Sequence, residues 1–210
     1  LLASGYQSVH MSGRAIRTAV VLHAAHHFTH AAAVDGSKKG VTSANGDGEE
    51  VDDNAEDRLA RAAYGIWTGV SPYGMSGTGD MVRAEEKGDR IAVGMGMSGG
   101  RLPDSFEAID CELYAAFRYL LRVWEEAGTA AKRQATRVLI LSDCKPAMEQ
   151  MESAWRGGET HGLRTVDRGA LLEAITTIRA DLGRVVCLWT PGHSGVSPYS
   201  YADCAAKAHT

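Results

Sequence analysis

The stretch RVLILSD, residues 137–143, places four large apolar side chains in a row with no polar interruption. A strand with one wet face alternates apolar and polar residues, so an unbroken run marks a strand buried on both faces at the centre of a sheet. Asp143 stands at its end, the edge where open α/β sheets present ligands.

The segments on either side agree with that placement. Upstream, SFEAIDCELYAAFRYLLRVWEEAG (105–128) repeats apolar residues at three- and four-residue intervals through Leu113, Ala116, Phe117, Leu120, Leu121 and Trp124. This spacing predicts a helix, with Glu112 on its first turns and Gly128 as its stop. Downstream, KPAMEQMESAW (145–155) predicts a helix that tolerates Pro146 near its start, and DRGALLEAITTIRADLG (167–183) a second one. RVVCLWT (184–190) reads as the last strand, followed by a GHSG loop around His193 and a closing helix in SYADCAAKA that carries Asp203. Glycines on both sides of His193 let the imidazole sit on a mobile loop tip.

Towards the N-terminus, FTHAAAVDGSKKG (28–40) reads as a strand stopped by Asp-Gly-Ser, with Asp35 at its C-terminal end. AAYGIWTGV (62–70) and RIAVGMGMSG (90–99) read as two more strands. The glycines of GMGMSGG suit an edge strand better than a phosphate loop, because no Lys-Ser/Thr ending and no helix follow them directly. The expected architecture is an α/β domain: a mixed five-stranded sheet with helices on both faces. Residues 1–27 are expected to be a leader or linker and 28–210 one domain. That domain is interrupted at about 41–60 by an acidic, glycine-rich insertion unable to offset its ordering entropy. The first residue is Leu, not Met, which suggests a piece of a longer polypeptide.

Composition sets bounds on function. With 210 residues and 44% hydrophobic content, the chain can bury one sizeable core. A formal charge of -4 gives no global attraction to nucleic acid, so such binding would rest on local patches. Cys111, Cys144, Cys187 and Cys204 are scattered without a C-x-x-C pair, which favours reduced thiols and an intracellular setting, cytoplasmic or nuclear. No apolar run is long enough for a membrane span, so no membrane partner is expected.

Taken singly, each polar residue has an ordinary explanation. Asp35 before Gly-Ser is a turn residue, Glu112 an early-helix acid favoured by the macrodipole, Asp143 a helix cap, His193 a surface loop residue and Asp203 a solvated helix position. Glu107 competes with Glu112 as the helix acid. Together, however, VDGS (34–37), CELYAAFRYL (111–120), LILSD (139–143) and WTPGHSGVSPYSYADCAAK (189–207) follow one another in a specific order: strand Asp, helix Glu, strand Asp, loop His, helix Asp. In this the chain resembles the type 1 ribonuclease H family, most of all the ribonuclease H domains attached to retroelement reverse transcriptases. The resemblance runs from about Phe28 to the end.

The resemblance implies an endoribonuclease that hydrolyses the RNA strand of RNA/DNA hybrids with two Mg²⁺ ions, Mn²⁺ being able to substitute, and leaves 5′-phosphate ends. It makes Asp35, Glu112, Asp143 and Asp203 the metal ligands, with Asp35 shared between the ions. His193 assists proton transfer or product departure, and Gly36 and Ser37 meet the substrate. It also implies a preceding polymerase domain in the same polypeptide as partner. Elementary chemistry agrees, since carboxylates packed together repel one another unless hard cations neutralise them. The alternative is a non-catalytic ribonuclease H-like module with a structural or nucleic-acid-binding role. Two features of the family are absent: an Asn-rich turn before the helix glutamate, replaced by PDSFEAID (103–110), and a basic handle, replaced by RGGETHGLR (156–164). Isolated affinity for the hybrid is therefore expected to be weak and salt-sensitive. Lys38 and Lys39 are candidate phosphate contacts.

Overall fold

The computed structural model describes residues 5–8, 27–39, 61–68, 96–158, 166–189, 191 and 197–210. Its strands are β1 (Gly5–Ser8), β2 (His30–Lys39), β3 (Arg61–Trp67), β4 (Met97–Leu102), β5 (Arg137–Ser142) and β6 (Arg184–Trp189). Its helices, numbered in chain order, are α1 (Ala108–Ala127), α2 (Ala130–Ala135), α3 (Lys145–Trp155), α4 (Val166–Asp181) and α5 (Ser197–Lys207). The strands form one sheet in the order β1-β6-β5-β2-β3-β4. The expected mixed five-stranded sheet, β2 to β6, is present. Gly5–Ser8, within the stretch read as a leader, adds a sixth strand parallel to β6.

β5 lies between β2 and β6 and runs parallel to both, while β2, β3 and β4 form an antiparallel meander. Val138, Leu139, Ile140 and Leu141 are each fully buried, as an unbroken apolar run demands. Such side chains contribute roughly 1.5–3 kcal/mol apiece on burial. Their alternation divides them between two cores. Val138 and Ile140 join α1, α3 and α4 on one face; Leu139 and Leu141 join Ala202 of α5 on the other. Helices therefore cover both faces.

α1 follows its sequence pattern closely, burying Leu113, Ala116, Leu120 and Val123 along one stripe. Two expectations need correction. β2 does not stop at Asp-Gly-Ser; it continues to Lys39 through pairs such as Asp35↔Gly65, Gly36↔Tyr64 and Ser37↔Ala63. Local turn preference at Asp-Gly-Ser is overridden by the ladder that β3 offers, so Asp35 sits within the strand and not at its end. The last antiparallel strand is Met97–Leu102, later than the apolar stretch that suggested it; residues 90–95 lie outside the described residues, as do those of the acidic insertion. β4 does occupy the sheet edge, where its glycines were expected.

Candidate active site

Three carboxylates come together where β5 ends, and α5 carries a fourth, Asp203, near enough for its charge to act on one of them. Asp35 comes from the middle of β2. Beside it, the parallel register pairs Ala33 with Leu141, and continued by two residues it sets Asp143 level with Asp35. Because β5 stops at Ser142, a side chain from α1 can reach round its end. Glu112 does so: Asp35, Glu112 and Asp143 each offer a carboxylate oxygen, and these oxygens all lie within 4.8 Å of one another. Asp203, on α5, belongs to the opposite face of the sheet, and its charge acts on Asp35.

Two glycines explain how helices from both faces come so near. A β-carbon on Gly36 would lie 2.5 Å from the Glu112 backbone nitrogen and 2.7 Å from the Cys111 β-carbon. A β-carbon on Gly65, the partner of Asp35 in the ladder, would lie 2.1 Å from the Ala202 carbonyl oxygen and 2.5 Å from the Ala206 nitrogen. Real side chains do not tolerate such distances, so α1 and α5 come this close to the sheet because it is bare at these two positions. The residues they deliver there are Glu112 and Asp203.

Hydrogen bonds then aim the carboxylates. The Ser142 hydroxyl donates to Glu112 Oε2 at 3.3 Å and accepts from the Cys144 N–H at 3.0 Å. The Gly36 N–H also supports Glu112. Trp189 Nε1 donates to the Asp143 carbonyl at 2.8 Å, holding the turn after β5. On α5, Lys207 Nζ donates to Asp203 Oδ2 at 2.7 Å, one helical turn away. Glu107, the competing acid, is engaged elsewhere, as the N-cap of α1 and a partner of Arg168.

The cluster is electrostatically costly without a cation. Asp35 and Glu112 are 7% and 6% exposed. Burial first, then the charges of Asp143 and Asp203, push Asp35 up to about 7. Burial first, then Asp35 and Asp143, hold Glu112 well above the usual carboxylate range. Both shifts express one cause: negative charges withdrawn from water and facing one another. A set of close oxygen donors in that state fits a hard divalent ion such as Mg²⁺. Histidine or thiolate donors, suited to softer ions, do not join it among the described residues.

The nearby cysteines are free. Burial pushes the thiols of Cys111 and Cys144 up to about 12, so neither is a ready nucleophile or soft-metal ligand. Cys204 is exposed. Ser37 is half-buried in the ladder. Lys38 donates to the Asp104 carbonyl at 3.3 Å. His193 lies outside the described residues. Sequence reasoning did not single out Ser142, Gly65, Trp189 or Lys207. Of these only Lys207, four residues beyond Asp203 on a predicted helix, carries a local signal.

No protein-family model matches the sequence, and no curated protein sequence matches it significantly. Solved structures do match. The solution structure of the PFV RNase H domain superposes with a TM-score of 0.51 at 12% identity, over 86% of this chain and 93% of that one. The native protease-reverse transcriptase of prototype foamy virus gives a TM-score of 0.53 at 11% identity, over 88% of this chain and 21% of that one. The foamy viral protease-reverse transcriptase in complex with RNA/DNA hybrid gives 0.51 at 10% identity, over 87% of this chain and 20% of that one. At such identities the likeness defines the fold. The chain has the ribonuclease H fold, with an acidic cluster where β5 ends beside the middle of β2. No helix among the described residues is long and apolar enough to cross a membrane.

Proposed function

We propose that this chain is a ribonuclease H: an endonuclease that hydrolyses the RNA strand of RNA/DNA hybrids and leaves 5′-phosphate ends. The observation that carries the reading is the convergence of Asp35, Glu112 and Asp143 within 4.8 Å, on a ribonuclease H fold. Asp203, delivered by α5, completes the set. A scaffold has no need of buried acids that repel one another, whereas a metal-dependent nuclease depends on them.

Asp35, Glu112, Asp143 and Asp203 are the residues that would hold two Mg²⁺ ions, or Mn²⁺ in their place. Such ions supply activation of the attacking water and charge stabilisation at the leaving oxygen in phosphodiester hydrolysis. The protein's part is to hold the acids close together and aimed. Ser142 and the Gly36 N–H orient Glu112, Trp189 fixes the backbone of Asp143, and Lys207 balances Asp203. Gly36 and Ser37 sit on the strand beside the acids, where an RNA backbone would pass. His193, which precedes α5 in the sequence, is assigned the proton-transfer or product-release role that the resemblance implies.

A polymerase domain preceding this one in the same polypeptide is the proposed partner. It is supported by the likeness to foamy viral protease-reverse transcriptase, one structure of which is in complex with RNA/DNA hybrid. Such a partner would supply the grip on the hybrid that a chain of formal charge -4 lacks.

The test compares cleavage of labelled RNA/DNA hybrid, double-stranded RNA and double-stranded DNA in Mg²⁺, with chelator and Asp143→Asn as controls. Selective, metal-dependent cutting of the hybrid's RNA strand, lost in the variant, is expected. Cutting of DNA or RNA duplexes instead would change the substrate class. Absence of any cutting, with metal bound and hybrid present at saturation, would favour the non-catalytic module.

A further inference from the structure

A second buried charge cluster lies behind α1, away from the acids. Arg168, early in α4, is 5% exposed and is, among the described residues, the only buried basic side chain. Its Nε donates to Asp110 Oδ1 at 2.5 Å and its Nη2 to Glu107 Oε2 at 2.7 Å. Asp110 is itself 1% exposed. Glu107 and Asp110 are the N-cap and N3 residues of α1 and close a reciprocal capping box, in which the Glu107 N–H donates to Asp110 Oδ2 at 2.8 Å. One guanidinium fork thus grips both side chains that define where α1 begins.

A buried ion pair of this kind adds little net stability over apolar packing, but its planar fork dictates an angle. The rest of the contact between α1 and α4 is largely apolar, through residues such as Leu120, Leu172 and Ile175, and tolerates small rotations better. Asp110 and Glu112 are two residues apart, about 200° round the helix, so a grip on one sets the direction of the other. With a carboxylate about 6 Å from the helix axis, a rotation of about 10° moves it by about 1 Å. A misplacement of that size costs on the order of a hundredfold in rate.

We infer that Arg168 is a positioning residue for Glu112: by clamping Asp110 and Glu107 it fixes the rotation of α1 about its axis and aims the Glu112 carboxylate at Asp35 and Asp143. This rests on the reading of Glu112 as a metal ligand. Gly36 bounds the approach of α1 to the sheet from one side, and Arg168 sets its angle from the other.

The test uses Arg168→Lys, which keeps the charge and loses the fork, and the neutral pair Asp110→Asn with Arg168→Gln, which leaves no uncompensated buried charge. Mn²⁺ binding is measured by calorimetric titration, kcat and KM on the hybrid, and folding by thermal melting. In both variants Mn²⁺ affinity is expected to fall about tenfold and kcat about ten- to a hundredfold, with KM unchanged, at temperatures where the protein is folded. If Arg168→Lys does not fold, the neutral pair decides. Unchanged Mn²⁺ affinity and kcat in folded variants would overturn the positioning role while leaving the metal reading intact. Failure of the unaltered protein to bind Mn²⁺ would overturn the metal reading and the positioning role with it.

Discussion

Replacing Asp35 by Asn should make the metal-free protein more stable at alkaline pH, although it removes a residue at the centre of the proposed chemistry. Asp35 ordinarily titrates near 3.8 and is pushed up to about 7 in the fold, mainly by burial and then by Asp143 and Asp203. A carboxyl raised on folding stabilises the native state below its unfolded value, and that contribution is lost as pH rises through the folded value. In chelator, the unaltered protein should therefore weaken between about pH 4 and pH 7, by up to roughly 4 kcal/mol from this group. Glu112 is shifted in the same direction and coupled to Asp35, so the two effects do not simply add. Asn at position 35 carries no charge and relieves Glu112. At pH 8 in chelator the variant should be more stable by about 2–4 kcal/mol, or roughly 4–16 °C in Tm for a domain of this size. At pH 4 the two proteins should melt together. Millimolar Mg²⁺ should then raise the Tm of the unaltered protein and leave that of the variant nearly unmoved. The assay is thermal melting across pH 4–8, with and without Mg²⁺. If the variant melts no higher than the unaltered protein at pH 8 in chelator, or if their difference does not change with pH, the cluster is not strained by its own charge and the metal reading loses its physical basis.

Other consequences are open to simpler tests. Gly36→Ala and Gly65→Ala should each destabilise by roughly 1–3 kcal/mol in denaturant titrations, because the new methyl meets the backbone of α1 or α5; neutral outcomes would refute the close approach. Trp189→Phe removes the donor to the Asp143 carbonyl and should cost about 1 kcal/mol, with a drop in hybrid cleavage larger than the loss of folded protein accounts for. A thiol reagent at pH 8 should label exposed Cys204 quickly, half-buried Cys144 slowly, and buried Cys111 and Cys187 only on unfolding; labelling of Cys111 or Cys187 as fast as Cys204 in the folded protein would contradict their burial.

The elements whose partners lie within their own segment were legible from residue order. α1 showed its period, and the unbroken run of β5 announced a central strand; both match the structure. Asp-Gly-Ser carries a strong local turn signal that predicts too short a β2, and nothing local reveals that β3 pairs with it as far as Lys39. The choice of Glu112 over Glu107 came from a family resemblance. In space the two acids separate by their place on α1, one capping the helix under Arg168 and the other reaching the end of β5. Ser142, Trp189 and Gly65 were not legible, since each reaches the acids or their helices through a residue at least 30 positions away.

Residue order by itself determined the periodicities, most of the strand and helix identities, and a sequence of acids carried by specific elements. Those are short-range properties, set by side-chain chemistry along a segment. Tertiary structure alone decided that the acids meet: two bare glycine positions admit one helix from each face of the sheet, and the early end of β5 leaves room for Glu112. Close approach of this kind depends on the absence of atoms at a contact between distant segments, and an absence gains meaning only when the chain has folded around it.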